Sequence, residues 1–553
     1  MASENPRFPA QAEIDFLIVG AGAAGGIIAK ELATAGFRVV VLEQGPYLRE
    51  PDFEHDEFKY RQQRAITNDY KRQPNVFRQT GKDKPRVQPA IIYGRQVGGG
   101  TVHFTGNYWR FHEIDFVERS KLGPIAGTGF DDWPITYQEL EPYYTKTEWE
   151  LGVSGAAGPF DSPRSKPFPL PPLPVKSGGV LAERGARKLG WHAVPSPMAI
   201  LSQPYRGRSA CQHCGFCEYF GCEYKAKSST LATVIEEAEN TGRCEIRPNS
   251  YVRKIETDKA GRVTGVTYID GNRHENFQAA KALILCANGA ETPRLLLLSK
   301  SARFPDGLAN SSGKVGRYLM FNGHASATAL FEHPLNEFKS VAVSRVIHDF
   351  YDSDPKRGHY GGGGIDTRFV AYPIGFALRG LPAELPRWGA DYKAVLREHY
   401  TRSLNASGHT TSLPVESNTI TLDPDVKDAW GLPALRVTYK DHPDDMKTMK
   451  FFQERCKELL EAAGARKIWL RPVREQSFGF HLLGTCRMGN DPKKSVVDKY
   501  HRAHDVPNLF ICDGSSFVTS GRGQPTCTIQ ALAYRASEHF IRMAKSGEIK
   551  SSV

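Results

Sequence analysis

The stretch from Ile14 to Gln44, IDFLIVGAGAAGGIIAKELATAGFRVVVLEQ, constrains this chain more than any other. A β-prone apolar run, Phe16 to Val19, enters Gly20-Ala21-Gly22-Ala23-Ala24-Gly25. A small-residue amphipathic segment follows, then a second β-rich run, Arg38 to Leu42, that ends at Glu43. Strand, glycine turn, helix, strand and acid in that order form a dinucleotide-binding βαβ unit, with the acid about 20 residues past the glycines. Gly20 allows a tight turn out of the strand, Gly22 lets backbone approach a pyrophosphate, and Gly25 brings the helix close to the sheet. The helix start offers free N–H groups and a positive dipole end to phosphate. Glu43 is placed to accept hydrogen bonds from adenosine ribose hydroxyls and to repel a 2′-phosphate, which favours FAD or NAD.

At 553 residues the chain exceeds what one core organises. The net charge of +11 is spread along it, without the basic runs or motifs of a nucleic-acid binder, and reads as a solvated basic surface that can help docking to an acidic protein or a membrane face. No apolar run approaches the length of a membrane span. The opening MASENPRFPAQAEIDF lacks a basic region followed by an apolar one, so no secretory signal is expected. Ten cysteines are too few for a disulfide scaffold, but four of them fall between Cys211 and Cys222.

Residues 47 to 89 are polar and irregular and read as a loop-rich excursion over a bound cofactor. They lead to YGRQVGGGTVHFTGNYWRF, Tyr93 to Phe111, where Gly98, Gly99 and Gly100 can carry backbone beneath a flat ring or a phosphate. Three blocks near the C-terminus complete the set: GFHLLGTCRMG (Gly479 to Gly489), NLFICDGS (Asn508 to Ser515) and GQPTCTIQALA (Gly523 to Ala533). With Gly20 to Glu43, these blocks resemble, in order and spacing, the glucose-methanol-choline oxidoreductases. The resemblance implies an α/β chain, α+β overall, with a Rossmann-like FAD-binding domain and a substrate domain on a mostly antiparallel sheet. It also implies FAD contacts from Gly20, Gly22, Gly25, Glu43, Arg95, Gly98, Gly99, Thr101, His103, Val252, Asp513, Gly514, Pro525 and Thr526.

The expected division is 1–160 for the first part of the FAD domain, 161–230 for a linker and cysteine-rich insertion, and 231–321 for the second FAD part. Substrate binding is expected from 322–474, and 475–553 returns to the FAD domain with the catalytic histidine. Pro-rich SPRSKPFPLPPLP, Ser162 to Pro174, reads as an extended crossing. GFDDWPITYQELEPYY leads into a helix candidate, and 230–240 reads as another. Strands are expected at 244–257, 263–268 and 282–287. Beyond Asn322, alternating segments at 324–332, 366–372, 418–422 and 435–439 suggest the antiparallel sheet. Gly361 to Gly364 reads as a loop, with a lid as the functional option. A helix follows Asp441-His442-Pro443 and stops at Gly464.

Taking hydride from a carbinol carbon requires a base for the hydroxyl proton, and imidazole, with an ordinary pKa of about 6.5, suits that task. His481 matches the family's catalytic histidine. The usual partner, His or Asn before proline in the last block, is here Gln524, whose longer arm changes reach. His103 occupies the place where some sugar-oxidising relatives link the flavin covalently; a tethered and an untethered flavin both stay open.

The cysteine cluster, Cys211, Cys214, Cys217 and Cys222, has the spacing C-x2-C-x2-C-x4-C. From the residues alone, zinc, an iron–sulfur cluster and metal-free thiols are all open. The resemblance points to bacterial FAD-dependent sugar and gluconate dehydrogenase catalytic subunits, some carrying a three-iron cluster. Cys211, Cys217 and Cys222 would hold such a 3Fe–4S cluster, with Cys214 spare, and all four would suit 4Fe–4S. The implied activity is oxidation of a hydroxyl of a sugar, glycoside or sugar acid, with electrons leaving to a cytochrome c-type or quinone acceptor. Oxygen-using oxidase and FAD-containing lyase are the alternatives. A small partner subunit carrying the signal would take the chain to the periplasm; without one it stays cytoplasmic.

Overall fold

The computed structural model describes residues 7–9, 12–369 and 371–549. Its centre is a seven-stranded sheet. The parallel strands Cys244–Arg247, Val39–Leu42, Ile14–Val19, Glu275–Leu285 and Leu509–Ile511 lie side by side in that order. The last of these neighbours pair as Leu509↔Leu283 to Ile511↔Leu285, so the chain's C-terminal quarter inserts into a sheet begun at its N-terminus. Val263–Ile269 and Tyr251–Thr257 extend the sheet through antiparallel pairs. Ile14, Phe16, Leu17 and Ile18 are fully buried, as expected of a strand covered on both faces. The helices Gly25–Thr34 and Thr526–Lys545 pack together on one side.

A second, six-stranded sheet is antiparallel throughout, in the order Lys467–Leu470, Gly323–Leu330, Ser403–Thr410, Gly363–Arg368, Val343–Ile347 and Ala193–Pro195. Helix Pro443–Ala463 covers one face with Met449, Phe452, Cys456, Leu459 and Leu460 buried. Gly464, at φ 95°, ends it, because only a residue without Cβ takes that left-handed conformation freely. Helix Tyr137–Leu151 begins on a Thr136–Glu139 capping box, where the sequence places a helix.

Three regions depart from expectation. The excursion 47–89 contains strands Asn75–Arg78 and Arg86–Val87, which join Thr419–Lys427 and Pro433–Thr438 in a four-stranded sheet. The segment 161–230 is more than a linker, since helix Ser177–Leu189 packs against Pro443–Ala463 and Ala193–Pro195 completes the antiparallel sheet. Gly361 to Gly364 is neither lid nor exposed loop: all four glycines are buried, and Gly363 and Gly364 open a strand. A Cβ on Gly364 would lie 2.8 Å from the Trp109 ring. Glycine here serves close packing, which four consecutive glycines in sequence do not distinguish from flexibility.

Candidate active site

The carboxyl ends of four parallel strands open into one cavity of about 500 Å³, the place where open α/β sheets bind ligands. At its sheet end the strands deliver Gly20, Glu43, Cys286 and Asp513. The far end is roofed by the antiparallel sheet, which contributes His324, Ser326, Arg368, Ser407 and His409. His481 and Gln524 complete the wall between them.

The sheet end is built from backbone. Gly20 sits at φ 98°, and a Cβ there would lie 2.5 Å from the Cys286 carbonyl oxygen. A Cβ on Gly25 would lie 1.9 Å from Gly20 O, so Gly25 serves helix–strand packing and stands behind the cavity wall. Gly22 differs, because its nearest neighbour to a Cβ is Gly99 at 3.8 Å. The room beside it is cavity, a cradle that a side chain would fill. Glu43 is buried, with Oε2 accepting from the Ala21 N–H at 3.0 Å and Oε1 from the Gly45 N–H at 2.9 Å. Burial pushes its carboxyl up to about 7 despite these N–H groups and nearby Arg95.

Thr101, His103, Val252, Gly514, Pro525 and Thr526 also line the cavity. Arg95 and Gly98 stand behind it: Gly98 N–H donates to Ala21 O at 2.8 Å, and its carbonyl accepts from the Thr101 hydroxyl at 2.6 Å. Asp513 accepts from the Thr292 hydroxyl at 2.6 Å and the Ser515 N–H at 2.8 Å. Nε2 of His103 is buried with no hydrogen-bond partner. Burial, then the charge of Lys227, pushes the His103 imidazole down to about 4.

At the other end the side chains do the arranging. His481 Nδ1 lies 3.0 Å from Asn322 Oδ1. The Asn322 amide is fixed the other way round, its NH₂ donating to the carbonyls of Thr410 at 3.2 Å and Gly521 at 3.1 Å. Asn322 Oδ1 therefore faces His481 as an acceptor, His481 carries its proton on Nδ1, and the Nε2 lone pair is left free. Asn322 occupies φ 60°, a conformation asparagine tolerates better than most residues. Burial, then His409 and Arg368, push the His481 imidazole down to about 3, so it stays neutral at ordinary pH.

Gln524 does not partner His481 directly; its Nε2 approaches His409 Nδ1 at 3.4 Å. His409 Nε2 lies 2.9 Å from Asp366 Oδ2. Asp366 also takes Arg368 Nε at 2.6 Å and Asn107 Nδ2 at 3.2 Å. Burial alone would raise the Asp366 carboxyl, but Arg368 and His409 hold it well below the usual carboxylate range. The chain of Gln524, His409, Asp366 and Arg368 thus forms a rigid polar wall facing His481. Of these four the sequence identified only Gln524, and it also left Asn322 unassigned. Asp366, Arg368 and His409 lie on neighbouring strands where polar residues alternate with apolar ones, and the pairing Asp366↔Ser407 and Gly364↔His409 brings them together.

None of the four clustered cysteines lines the cavity, although Glu218 and Tyr219, between Cys217 and Cys222, do. Tyr219 N–H donates to His103 O at 2.7 Å. The expected convergence of the thiolates on a metal centre, whether zinc or an iron–sulfur cluster, is not seen: among the described residues no three of the four sulfurs lie within 4.8 Å of one another. Two thiolates bound to one zinc ion at ~2.3 Å stand at most about 4.6 Å apart. Among the described residues the histidine, cysteine and acidic ligand atoms that gather within 4.8 Å of one another belong to His112, Asp161 and His348. Burial pushes the Cys211 and Cys217 thiols up to about 11 and about 12.

Two family models, both described as GMC oxidoreductase, match residues 14–320 and 414–533. The chain belongs to the GMC oxidoreductase family. Among its relatives, 2-methyl-1,2-propanediol dehydrogenase of Mycolicibacterium austroafricanum is 37% identical over 543 residues, covering 96% of this chain and 95% of that protein. Fructose dehydrogenase large subunit of Gluconobacter japonicus is 30% identical over 551 residues, covering 96% and 98%. The structure of pyridoxine 4-oxidase from Mesorbium loti shares the fold, with a TM-score of 0.63 and 17% identity, covering 96% of this chain and 99% of that one. As a GMC oxidoreductase the protein is an FAD-dependent enzyme acting on CH–OH groups. The backbone-lined, carboxylate-ended cavity fits that cofactor. Among the described residues no helix is long and apolar enough to cross a membrane.

Proposed function

We propose that this GMC enzyme oxidises a hydroxyl of a polyhydroxylated substrate, a sugar, glycoside or sugar acid, with His481 as the base. The observation that carries the reading is the Asn322–His481 contact at 3.0 Å, which leaves Nε2 of a neutral imidazole free at the cavity. FAD, when bound, supplies the acceptor for the hydride leaving the carbinol carbon. His481 takes the hydroxyl proton on Nε2. The polar wall of Gln524, His409 and Arg368 orients neighbouring hydroxyls, because Asp366 already holds His409 and Arg368, and Gln524 rests against His409. The activities for which the diol and fructose dehydrogenase relatives are named support a substrate with adjacent oxygens.

In the same reading, residues 1–160, 231–321 and 475–553 hold FAD. Gly20, Gly22, Glu43, Gly99, Thr101, His103, Val252, Asp513, Gly514, Pro525 and Thr526 meet it, while Gly25, Arg95 and Gly98 support the cradle. Residues 322–474, joined by the strand Ala193–Pro195, recognise the substrate. Cys211, Cys217 and Cys222, with Cys214 spare, would hold an iron–sulfur cluster, which would supply one-electron transfer to a cytochrome or quinone. Support comes from the loop's position: the segment between Cys217 and Cys222 touches the cavity and is hydrogen-bonded to His103. Partnership with a small signal-bearing subunit, and a periplasmic location, belong to the same reading, and the relative named as a large subunit supports a partner subunit.

The test is elemental and sulfide analysis of purified protein, with anaerobic addition of a panel of sugars, sugar acids and diols followed by flavin absorbance. Iron with acid-labile sulfide, and bleaching by a polyol, are expected. Flavin without iron, together with hydrogen peroxide formed in air, would overturn the electron-exit reading in favour of an oxygen-using oxidase.

A further inference from the structure

His112, Asp161 and His348 lie outside the cavity described above and come from three separate stretches of chain. His112 precedes the short helix Glu113–Phe116, Asp161 lies in the loop after Gly158, and His348 follows the strand Val343–Ile347. One ligand atom from each falls within 4.8 Å of the other two. Both histidines are more than nine-tenths buried, and neither ring nitrogen of His348 has a hydrogen-bond partner. Buried polar groups are nearly always hydrogen-bonded, so the arrangement calls for a partner.

An ion pair does not supply it. His348 Nδ1 stands 3.8 Å from Asp161 Oδ1, too far for a direct hydrogen bond, and the second ring nitrogen would remain unpaired in any case. Asp161 is itself held in place, its Oδ2 accepting from the Gly158 N–H at 3.0 Å. A cavity of about 20 Å³ adjoins the three residues, enough for one water-sized body. Arg110 and Arg164 also border it, but their charge is met by Glu148, which Arg110 grips through Nε at 2.9 Å and Nη2 at 2.7 Å and which Arg164 also contacts.

We infer that His112, Asp161 and His348 form a zinc site, three protein ligands with a water in the fourth position, that fastens the substrate sheet to the flavin half of the molecule. Two imidazoles and one carboxylate are a donor set that zinc accepts. Tetrahedral ligands at ~2.0–2.1 Å stand roughly 3.4 Å apart, so the side chains need close in by no more than about 1.4 Å from a spacing within 4.8 Å. The ion would also back one wall of the active site. The Trp109 ring lies between the two regions, 4.8 Å from the His348 ring and 5.6 Å from the His409 ring.

The experiment uses FAD-loaded enzyme stripped with a chelator, then titrated with ZnCl₂ by equilibrium dialysis and with CoCl₂ by visible absorption. Cobalt bound by nitrogen and oxygen gives d–d bands to the red of the flavin without the thiolate charge-transfer band that the cysteine loop would produce. Wild type is expected to bind cobalt with the nitrogen–oxygen signature and to melt at higher temperature with zinc. Cys214→Ser should keep that site, whereas His348→Gln should weaken zinc at it at least tenfold, an effect of the size seen when a site's supporting groups are lost. Asp161→Asn provides a second variant if His348→Gln fails to retain flavin. Absence of the nitrogen–oxygen cobalt spectrum in wild type, or its persistence in both ligand variants, would overturn the assignment.

Discussion

The two ends of the active-site cavity are made in opposite ways. The sheet end is shaped by backbone, through glycines where a Cβ would meet a carbonyl or fill the cradle. The roofed end is shaped by side chains, a histidine set by an asparagine and a wall of four polar residues tied through one buried carboxylate. A backbone-built site recognises what a cofactor always has, a pyrophosphate and a ribose. A side-chain-built site changes its preference with each substitution. Cofactor identity is therefore robust to divergence, and substrate identity is not.

The strongest test of the contrast is to damage each end without touching the other. His481→Gln should lower kcat by ~10²–10⁴, the range a positioned base contributes, with flavin content unchanged. Stopped-flow measurement of flavin bleaching gives that rate directly. A fall of less than threefold would remove His481 from the chemistry.

Gly22→Val should do the reverse. Because the nearest protein atom to a Cβ at Gly22 is 3.8 Å away, the chain should fold with its circular dichroism unchanged and lose bound flavin. Gly25→Ala, whose Cβ would lie 1.9 Å from Gly20 O, should instead lower the melting temperature, at an overpacking cost of about 1–3 kcal/mol or more. If the two variants behaved alike, the distinction between a cradle glycine and a packing glycine would fail.

The contrast also governs what the sequence could reveal. The βαβ unit and the three C-terminal blocks are legible because backbone demands leave fixed residues at fixed spacings: Gly20, Gly22, Gly25 and Glu43 lie within one supersecondary unit. The polar wall is not legible in that way. Asp366, Arg368 and His409 meet only through the register of two strands about 40 residues apart, and Asn322 meets His481 across more than 150 residues of chain. Nothing local in HASATAL or GIDTRF marks a functional face. Gly361 to Gly364 misled for a related reason, since the Trp109 ring that forbids a side chain at Gly364 lies some 250 residues earlier. Likewise, nothing in the C-x2-C-x2-C-x4-C spacing reveals that no three of the four sulfurs gather as the ligands of one centre would.

A smaller effect is expected at the residue that joins the two kinds of construction. Asn322→Gly keeps the left-handed backbone at φ 60° but removes the amide that sets the His481 tautomer. The ring is then free to present either nitrogen, and kcat should fall about tenfold, the equivalent of ~1.4 kcal/mol for one lost orienting hydrogen bond. Flavin content should not change, because Asn322 does not line the cavity's sheet end.

The smallest expected effect is a slope that does not appear. The His481 imidazole is pushed down to about 3 by burial and by the neighbouring His409 and Arg368, so as pH falls the ring protonates only near that value. The acid limb of kcat/KM, ordinarily placed near 6.5 for a histidine base, should be missing, and the profile should run level between pH 5 and 8. Stability carries the complementary signature. The unfolded chain protonates this histidine near 6.5 and the folded one does not, so the unfolded state binds more protons between 6.5 and about 3. The histidine's contribution to stability is therefore fully present above 6.5 and is lost progressively as pH falls toward 3. A kcat/KM profile that bends near 6.5 while flavin stays bound would show the imidazole in contact with water, and the polar wall would then be looser than its hydrogen bonds describe.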